Sequence, residues 1–369
     1  MTLRSAAAIR ALRVAAYRIP TDAPEADGTF AWNATTLVVV ELDAAGETGL
    51  GYTYADASLV RLIEGRLRER VEGEDAFAIG RLNDQLWASV RNLGRSGLAA
   101  CAISAVDCAL WDLKARLLGL PLARLLDARR ERIAVYGSGG FTTCDDTRLC
   151  KQFERWVHED GCRWVKMKIG ADVLRDAERV RAAREAIGEA GLFIDANGAH
   201  TPRSAIAFAH RVAEQQVGWF EEPVSSDDLA GMREVRAALS ASGQAMDVAA
   251  GEYAYTTDDF RRLVEHETVD VLQADLTRCG GITGFLQAAA LCEAFHLDLS
   301  AHCAPALHLH ACCAASRFRH LEWFHDHVRL ESMLFEGAPQ LKDGHVAPDL
   351  MRPGHGLRLR KADARRYAI

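Results

Sequence analysis

The stretch Trp164-Val165-Lys166-Met167-Lys168-Ile169-Gly170 sets two lysines two positions apart in an apolar run. In an alternating strand, residues i and i+2 share a face, so Lys166 and Lys168 point the same way. Two ammonium groups side by side in a confined site depress each other's pKa, and a lysine left neutral near pH 7 can take a proton from carbon. Alone, the stretch reads more simply as an edge strand with two solvated lysines. Other apolar runs, however, end in Asp195 and Asn197, Glu221, Glu252, Asp275, His302 and Glu322. One acid at a strand end is ordinary, because Asp and Asn also cap helices. A whole succession of them exceeds what capping asks for.

Asp195, Glu221 and Glu252 would come from three adjacent strands, and three gathered carboxylates need a cation to stay ionised. Oxygen-only ligands favour Mg2+, or Mn2+. Glu221 and Glu222 are strand neighbours, so only one is expected to face the axis, and Pro223 then breaks the ladder. Asp275 and His302 end successive strands; a carboxylate beside an imidazole fixes its tautomer and raises its basicity, which supplies a second base opposite the lysines. His308 and His310 fall in a helix-like segment where i and i+2 do not share a face, so they read as structural.

The elements that must position these groups follow from periodicity. From Ile9 to Tyr54 the chain reads as strands, with Arg13–Ile19 alternating, Thr36–Leu42 strongly β-branched and Gly49–Tyr54 after a turn. Between the first two, Thr21–Trp32 reads as a loop of turn formers carrying Phe30 and Trp32, a connector or a lid. Ala57–Leu126 turns helical, and the small-residue segment from Gly97 ends at Gly119 and Pro121, a stop signal. After Arg130 short apolar runs alternate with helical stretches such as Asp172–Ile187 and Arg203–Glu214. Eight such strands predict an α/β fold, a (β/α)8 TIM barrel that presents its chemistry at the C-terminal strand ends.

Composition narrows the function. A net charge of −7 without a basic run argues against nucleic acid as the partner. No apolar run is long enough to span a bilayer, and the arginine-broken stretch Met1–Arg13 has no signal-peptide core, so the expectation is a cytoplasmic protein with no membrane partner. Ten scattered cysteines without a Cys-x-x-Cys pair read as buried thiols in a reducing compartment.

Together these residues resemble the enolase superfamily and, within it, the mandelate racemase subgroup. The match runs over nearly the whole chain: the strand-rich start, the helix Ala102-Ile-Ser-Ala-Val-Asp-Cys-Ala-Leu-Trp-Asp-Leu-Lys114, then Lys-x-Lys, Asp-x-Asn, Glu-Glu-Pro, Gly-Glu, the Asp/His pair and the late Leu-Glu, in order. The resemblance implies an α+β capping domain over residues 1–128, a modified barrel over 129–330 that departs from eight perfect βα units, and a segment 331–369 returning to the cap. It implies Mg2+ on Asp195, Glu221 and Glu252. It implies Lys168 as one acid/base tuned by Lys166, His302 held by Asp275 as the other, Asn197 on substrate or metal-bound oxygens, and Glu322 hydrogen-bonding the substrate carboxylate. Specificity would come from the cap segments Asp22–Trp32 and Gly51–Asp56, with Trp32, Tyr54 and Asp22 as substrate contacts. The partner is a small-molecule carboxylate, and the family commonly forms homo-oligomers.

The chemistry implied is removal of a proton α to a carboxylate, through an enediolate stabilised by the cation and by Glu322 if protonated. Expelling a β-hydroxyl gives dehydration of an acid sugar, the reading adopted here. Returning the proton from the opposite face gives racemisation or epimerisation with the same residues. A non-catalytic relative would lack a ligand or a base, and none is missing. A His-x-His hydrolase site belongs at an early strand end, whereas His308 and His310 come late. A Rossmann domain would need Gly-x-Gly-x-x-Gly after a strand.

Overall fold

The fold is a computed structural model that describes residues 7–369. Strands β1 (Ala11–Ala26), β2 (Ala31–Ala44) and β3 (Glu47–Tyr54) form an antiparallel sheet in chain order. Both faces of β2 are buried, which is why its β-branched run does not alternate with polar residues. Val38, Val40 and Leu42 pack into the core of the cap, whereas Leu37 and Val39 join the larger core shared with the barrel. Helices α1 (Ile79–Ser89) and α2 (Leu98–Leu117) complete the cap. β3 lies so close on α2 that a Cβ at Gly51 would come within 2.1 Å of the Ala105 carbonyl oxygen, so the small-residue face of α2 and the glycine of β3 require each other.

The expected loop Thr21–Trp32 is mostly strand. β1 and β2 pair again beyond an irregularity between Pro20 and Glu25, with Glu25 opposite Trp32 and Ala26 opposite Ala31. Only the tip is a turn, closed by Asp27 Oδ1 accepting from the backbone N–H of Thr29 and Phe30 at 2.6 and 2.8 Å. The turn-forming prolines interrupt the ladder without ending the hairpin.

Eight parallel strands follow: β4 (Ile133–Gly139), β5 (Trp164–Lys168), β6 (Gly191–Asp195), β7 (Val217–Glu221), β8 (Asp247–Ala250), β9 (Val271–Ala274), β10 (Asp298–Ala301) and β11 (Phe318–Phe324). They lie side by side in chain order, and β11 pairs with β4, closing the barrel. Between and after them run α3 (Asp146–Glu154), α4 (Val173–Ile187), α5 (Pro202–Arg211), α6 (Leu229–Ala241), α7 (Thr257–Glu265), α8 (Gly281–Ala294), α9 (Pro305–Ala314) and α10 (His325–Leu334). Their starts are written in the sequence: Asp172 caps α4, and Thr201 and Thr256 form capping boxes with Ser204 and Asp259. α10 also serves the cap, since its Asp326 and Glu331 accept from Thr35 and Tyr52 at 2.5 and 2.6 Å. The tail pairs His345–Val346 antiparallel with β4 and then returns to the cap, where Ile369 N–H donates to Ala16 and Lys361 meets Glu41. No helix among the described residues is long and apolar enough to cross a membrane.

Candidate active site and metal centre

Inside the barrel the lower layer is aromatic: Tyr136, Phe193 and Trp219 pack with Ala249 and Val271, against Trp164. This floor excludes water, so any charge above it must be paired. Register places the next layer. Lys168 stands opposite Asp195 and Asp195 opposite Glu221, because each ends its strand at the same level. Lys166 Nζ lies 2.7 Å from both Glu221 carboxylate oxygens, 2.8 Å from Glu322 Oε1 and 3.4 Å from Asp195. Lys168 Nζ lies 2.5 Å from Asp195 Oδ2. Across the barrel, His302 Nδ1 meets Asp275 Oδ2 at 2.8 Å and Nε2 meets Glu252 Oε2 at 2.6 Å. Asn197 donates to Glu252 at 3.1 Å. Every expected acid, base and metal-ligand position therefore lies in one buried cluster.

Two electrostatic expectations change. Burial and the Lys166 charge both lower Lys168, but acids outweigh them. Burial alone would lower Lys166, whereas Glu221 and Glu322 hold it well above the ordinary lysine range; Asp195 does the same for Lys168. Glu322, considered as a protonated donor, is instead ionised. Burial pushes it up, but the Lys166 and His302 charges hold it well below the carboxylate range. It accepts from Ser138 Oγ at 2.6 Å and from Cys303 N–H at 2.9 Å. His302 stands well above its ordinary value despite burial, held there by Cys303, Glu252 and Asp275.

Glu222 is a third correction. Strand alternation should have turned it away from Glu221, but β7 ends at Glu221 and Glu222 takes a left-handed φ of 37°. Its buried carboxyl is pushed up by burial and then by Glu252 and Asp195, so it shares their pocket. Further residues escaped the sequence reading. Ser138 lies two places beyond Tyr136, where the apolar run of β4 ends, and counting on by two would have found it. Arg278, three residues after Asp275, faces Asp275 and Glu252 at 3.5 and 3.4 Å. Cys303 Sγ touches His302 Nε2 at 3.2 Å; nothing in a Cys-Ala-Pro sequence signals that contact.

The other expected positions separate. Tyr54 stacks on His327 with ring centroids 3.5 Å apart, beneath the turn that follows His302. Trp32 packs edge-on against Phe141, in the apolar group that includes Cys303 and Phe324. Asp22 lies at the rim, bonded to His325 and Arg148 at 2.9 and 3.3 Å. His308 and His310 are structural: they accept from the backbone N–H of Leu276 and Ala123, and burial pushes both below the ordinary imidazole value.

The donor set fits a divalent cation. Six buried carboxyl groups (Asp195, Glu221, Glu222, Glu252, Asp275, Glu322) face only four basic side chains, Lys166, Lys168, Arg278 and His302, and burial together with this deficit of positive charge pushes Glu221 and Glu222 up. Glu222 Oε1 and Asn197 Oδ1 are buried there without a hydrogen-bond partner. Oxygen donors with that deficit suit a hard ion such as Mg2+.

Known proteins share this fold. Residues 10–127 match the mandelate racemase / muconate lactonizing enzyme N-terminal domain, and residues 148–364 match the enolase C-terminal domain-like family. The chain belongs to the mandelate racemase subgroup of the enolase superfamily and is an enzyme of that group. It is 34% identical to a 3,6-anhydro-alpha-L-galactonate cycloisomerase of Streptomyces coelicolor, over 95% of this chain and 96% of that one. A mandelate racemase/muconate lactonizing enzyme-like protein from Rubrobacter xylanophilus superimposes with a TM-score of 0.94 at 46% identity, covering 98% of this chain and 100% of that one. L-talarate/galactarate dehydratase from Salmonella typhimurium LT2, liganded with Mg and L-lyxarohydroxamate, gives a TM-score of 0.90 at 28% identity over 100% of this chain and 95% of that one.

Proposed function

We propose that this enzyme removes the proton α to the carboxylate of an acid sugar and expels the β-hydroxyl, giving a 2-keto-3-deoxy acid. The observation that carries the reading is the placement of His302. Both ring nitrogens face carboxylate oxygens, which only accept, so both carry protons. An imidazolium held across the site from two lysines is an acid placed to protonate a leaving oxygen.

Mg2+, or Mn2+, would be held by Asp195, Glu221 and Glu252, and when bound supplies the positive charge that makes an α-proton acidic. Once Asp195 is committed to the cation, Lys168 would lose the partner that keeps it protonated and, with the Lys166 charge alongside favouring its neutral form, take the proton from C2. Lys166, anchored by Glu322 2.8 Å away, orients the substrate carboxylate, and Asn197 its neighbouring oxygen. His302 gives its Nε2 proton to the C3 oxygen as the C3–O bond breaks, and water leaves. The enol then gains a proton at C3 as C2 becomes a ketone. Asp275 keeps His302 upright throughout. Trp32, Tyr54 and Asp22 are the cap's contacts to the rest of the sugar acid.

The cycloisomerase likeness favours a second reading by the same bonds. In a 3,6-anhydro acid the ring oxygen sits on C3, so the same elimination opens a ring and releases no water. Proton NMR in D2O with Mg2+ across sugar acids, aldaric acids, anhydro acids and mandelate tests both. Loss of the α-proton with a new deoxy-keto methylene signal is expected. Deuterium incorporation with no C–O cleavage would reassign the enzyme as a racemase or epimerase.

A further inference from the structure

Away from the barrel axis, a second group of cation-binding side chains gathers where the β1–β2 hairpin meets the barrel. One carboxylate oxygen each from Asp22 and Glu25 and a ring nitrogen of His325 lie within 4.8 Å of one another. The two acids belong to β1 and the imidazole begins α10, so the group bridges cap and barrel.

Glu25 is the unusual member. It is 1% exposed. Its Oε2 accepts from Trp32 Nε1 at 2.8 Å, whereas Oε1 is buried with no hydrogen-bond partner. Protonation does not cure this, since a hydroxyl there would also lack an acceptor. Leaving such an atom bare forfeits the hydration it had in water with nothing in return. The nearby cations are committed elsewhere. Arg329 bonds Asp326 and the Pro20 carbonyl at 2.6 and 2.7 Å, and Arg148 reaches the far oxygen of Asp22 at 3.3 Å. Burial, and then the Asp326 charge, push the Glu25 carboxyl up to about 8, against the weaker pull of the Trp32 hydrogen bond and the Arg329 charge.

We propose that Asp22, Glu25 and His325 form a second divalent-cation site, distinct from the one in the barrel. Two carboxylates and an imidazole are a borderline donor set, which prefers Zn2+ to the Mg2+ chosen by oxygen donors alone. The ion would tie the hairpin to the barrel. Because Glu25 anchors Trp32, and Trp32 packs on Phe141 next to Phe324 and Cys303, fixing Glu25 fixes the aromatic wall beside His302.

The test is Zn2+ titration by calorimetry of the chelator-stripped full chain in saturating Mg2+, with bound zinc counted by elemental analysis after dialysis. One Zn2+ per chain is expected. Glu25→Gln and His325→Asn should each weaken it at least tenfold, while Glu252→Gln leaves it in place. Melting curves in chelator establish that each variant is folded, and His325, only half-buried, gives the safer variant. The proposal is overturned if no Zn2+ binds to the wild type. It is equally overturned if Zn2+ binding ignores both substitutions, or follows Glu252→Gln or Cys303→Ala, which would place the ion beside His302.

Discussion

Lys168 is 6% exposed and its ammonium touches Asp195, so its reach into the site depends on one carboxylate. Lys168→Ala should cut α-proton exchange by roughly 10²–10⁴-fold, the usual worth of a positioned acid/base, while calorimetry finds Mg2+ affinity largely kept. Loss of the metal instead would place Lys168 in the ion's support. Glu252→Gln should weaken Mg2+ binding by more than the roughly 10–100-fold typical of an outer-shell partner; unchanged affinity would remove it from the ligand set. The residue-level chemistry was legible because chain order and strand alternation bring Lys166, Asp195, Glu221, Glu252, Asp275, His302 and Glu322 to successive strand ends. What alternation could not supply was Glu222, which a left-handed backbone turns inward, or the net charge of the lysines, which depends on how many acids each one meets. Both depend on three-dimensional neighbours.

The strands of the barrel were legible to within a few residues, and their helix caps could be read directly. The hairpin over the barrel mouth was not, because Pro20, Pro24, Asp27 and Gly28 look like a loop, while cross-strand pairing of Glu25 with Trp32 carries the strands up to a short turn at Asp27 and Gly28. At the end of β8, Gly251 has a φ of 141°, and a Cβ there would come within 2.5 Å of the Gln273 carbonyl oxygen. Gly251→Ala must therefore displace the backbone that presents Glu252. The expected outcome is a loss of about 1–3 kcal/mol in denaturant unfolding together with weaker Mg2+ binding. A variant as stable and as tight as the wild type would mean that β9 yields and the glycine is not required.

Cap and barrel are joined through Glu331, buried on α10 and bonded by Tyr52 of β3 at 2.6 Å and by Ala306 N–H at 3.0 Å. Burial raises its carboxyl from 4.5 to about 8. Between those values the folded chain holds a proton that the unfolded chain releases, so this group makes stability fall as pH rises, by at most about 1.4 kcal/mol per pH unit. Stability of the wild type relative to Glu331→Gln should decline from about pH 5 to pH 8 and level off beyond; a pH-independent difference would show that Glu331 titrates normally. The whole molecule thus sets a cap, held by buried polar contacts, over a barrel whose bases face each other across a cluster of acids. The central claim is that those bases move the α-proton. It is tested most directly by α-deuterium exchange in D2O with Mg2+, followed by NMR on the sugar acid turned over by the wild type. Exchange is predicted to persist in His302→Asn, whose imidazolium serves the leaving oxygen, to fall in Lys168→Ala, and to vanish in the double variant while Mg2+ still binds. Undiminished exchange in the double variant would contradict the account.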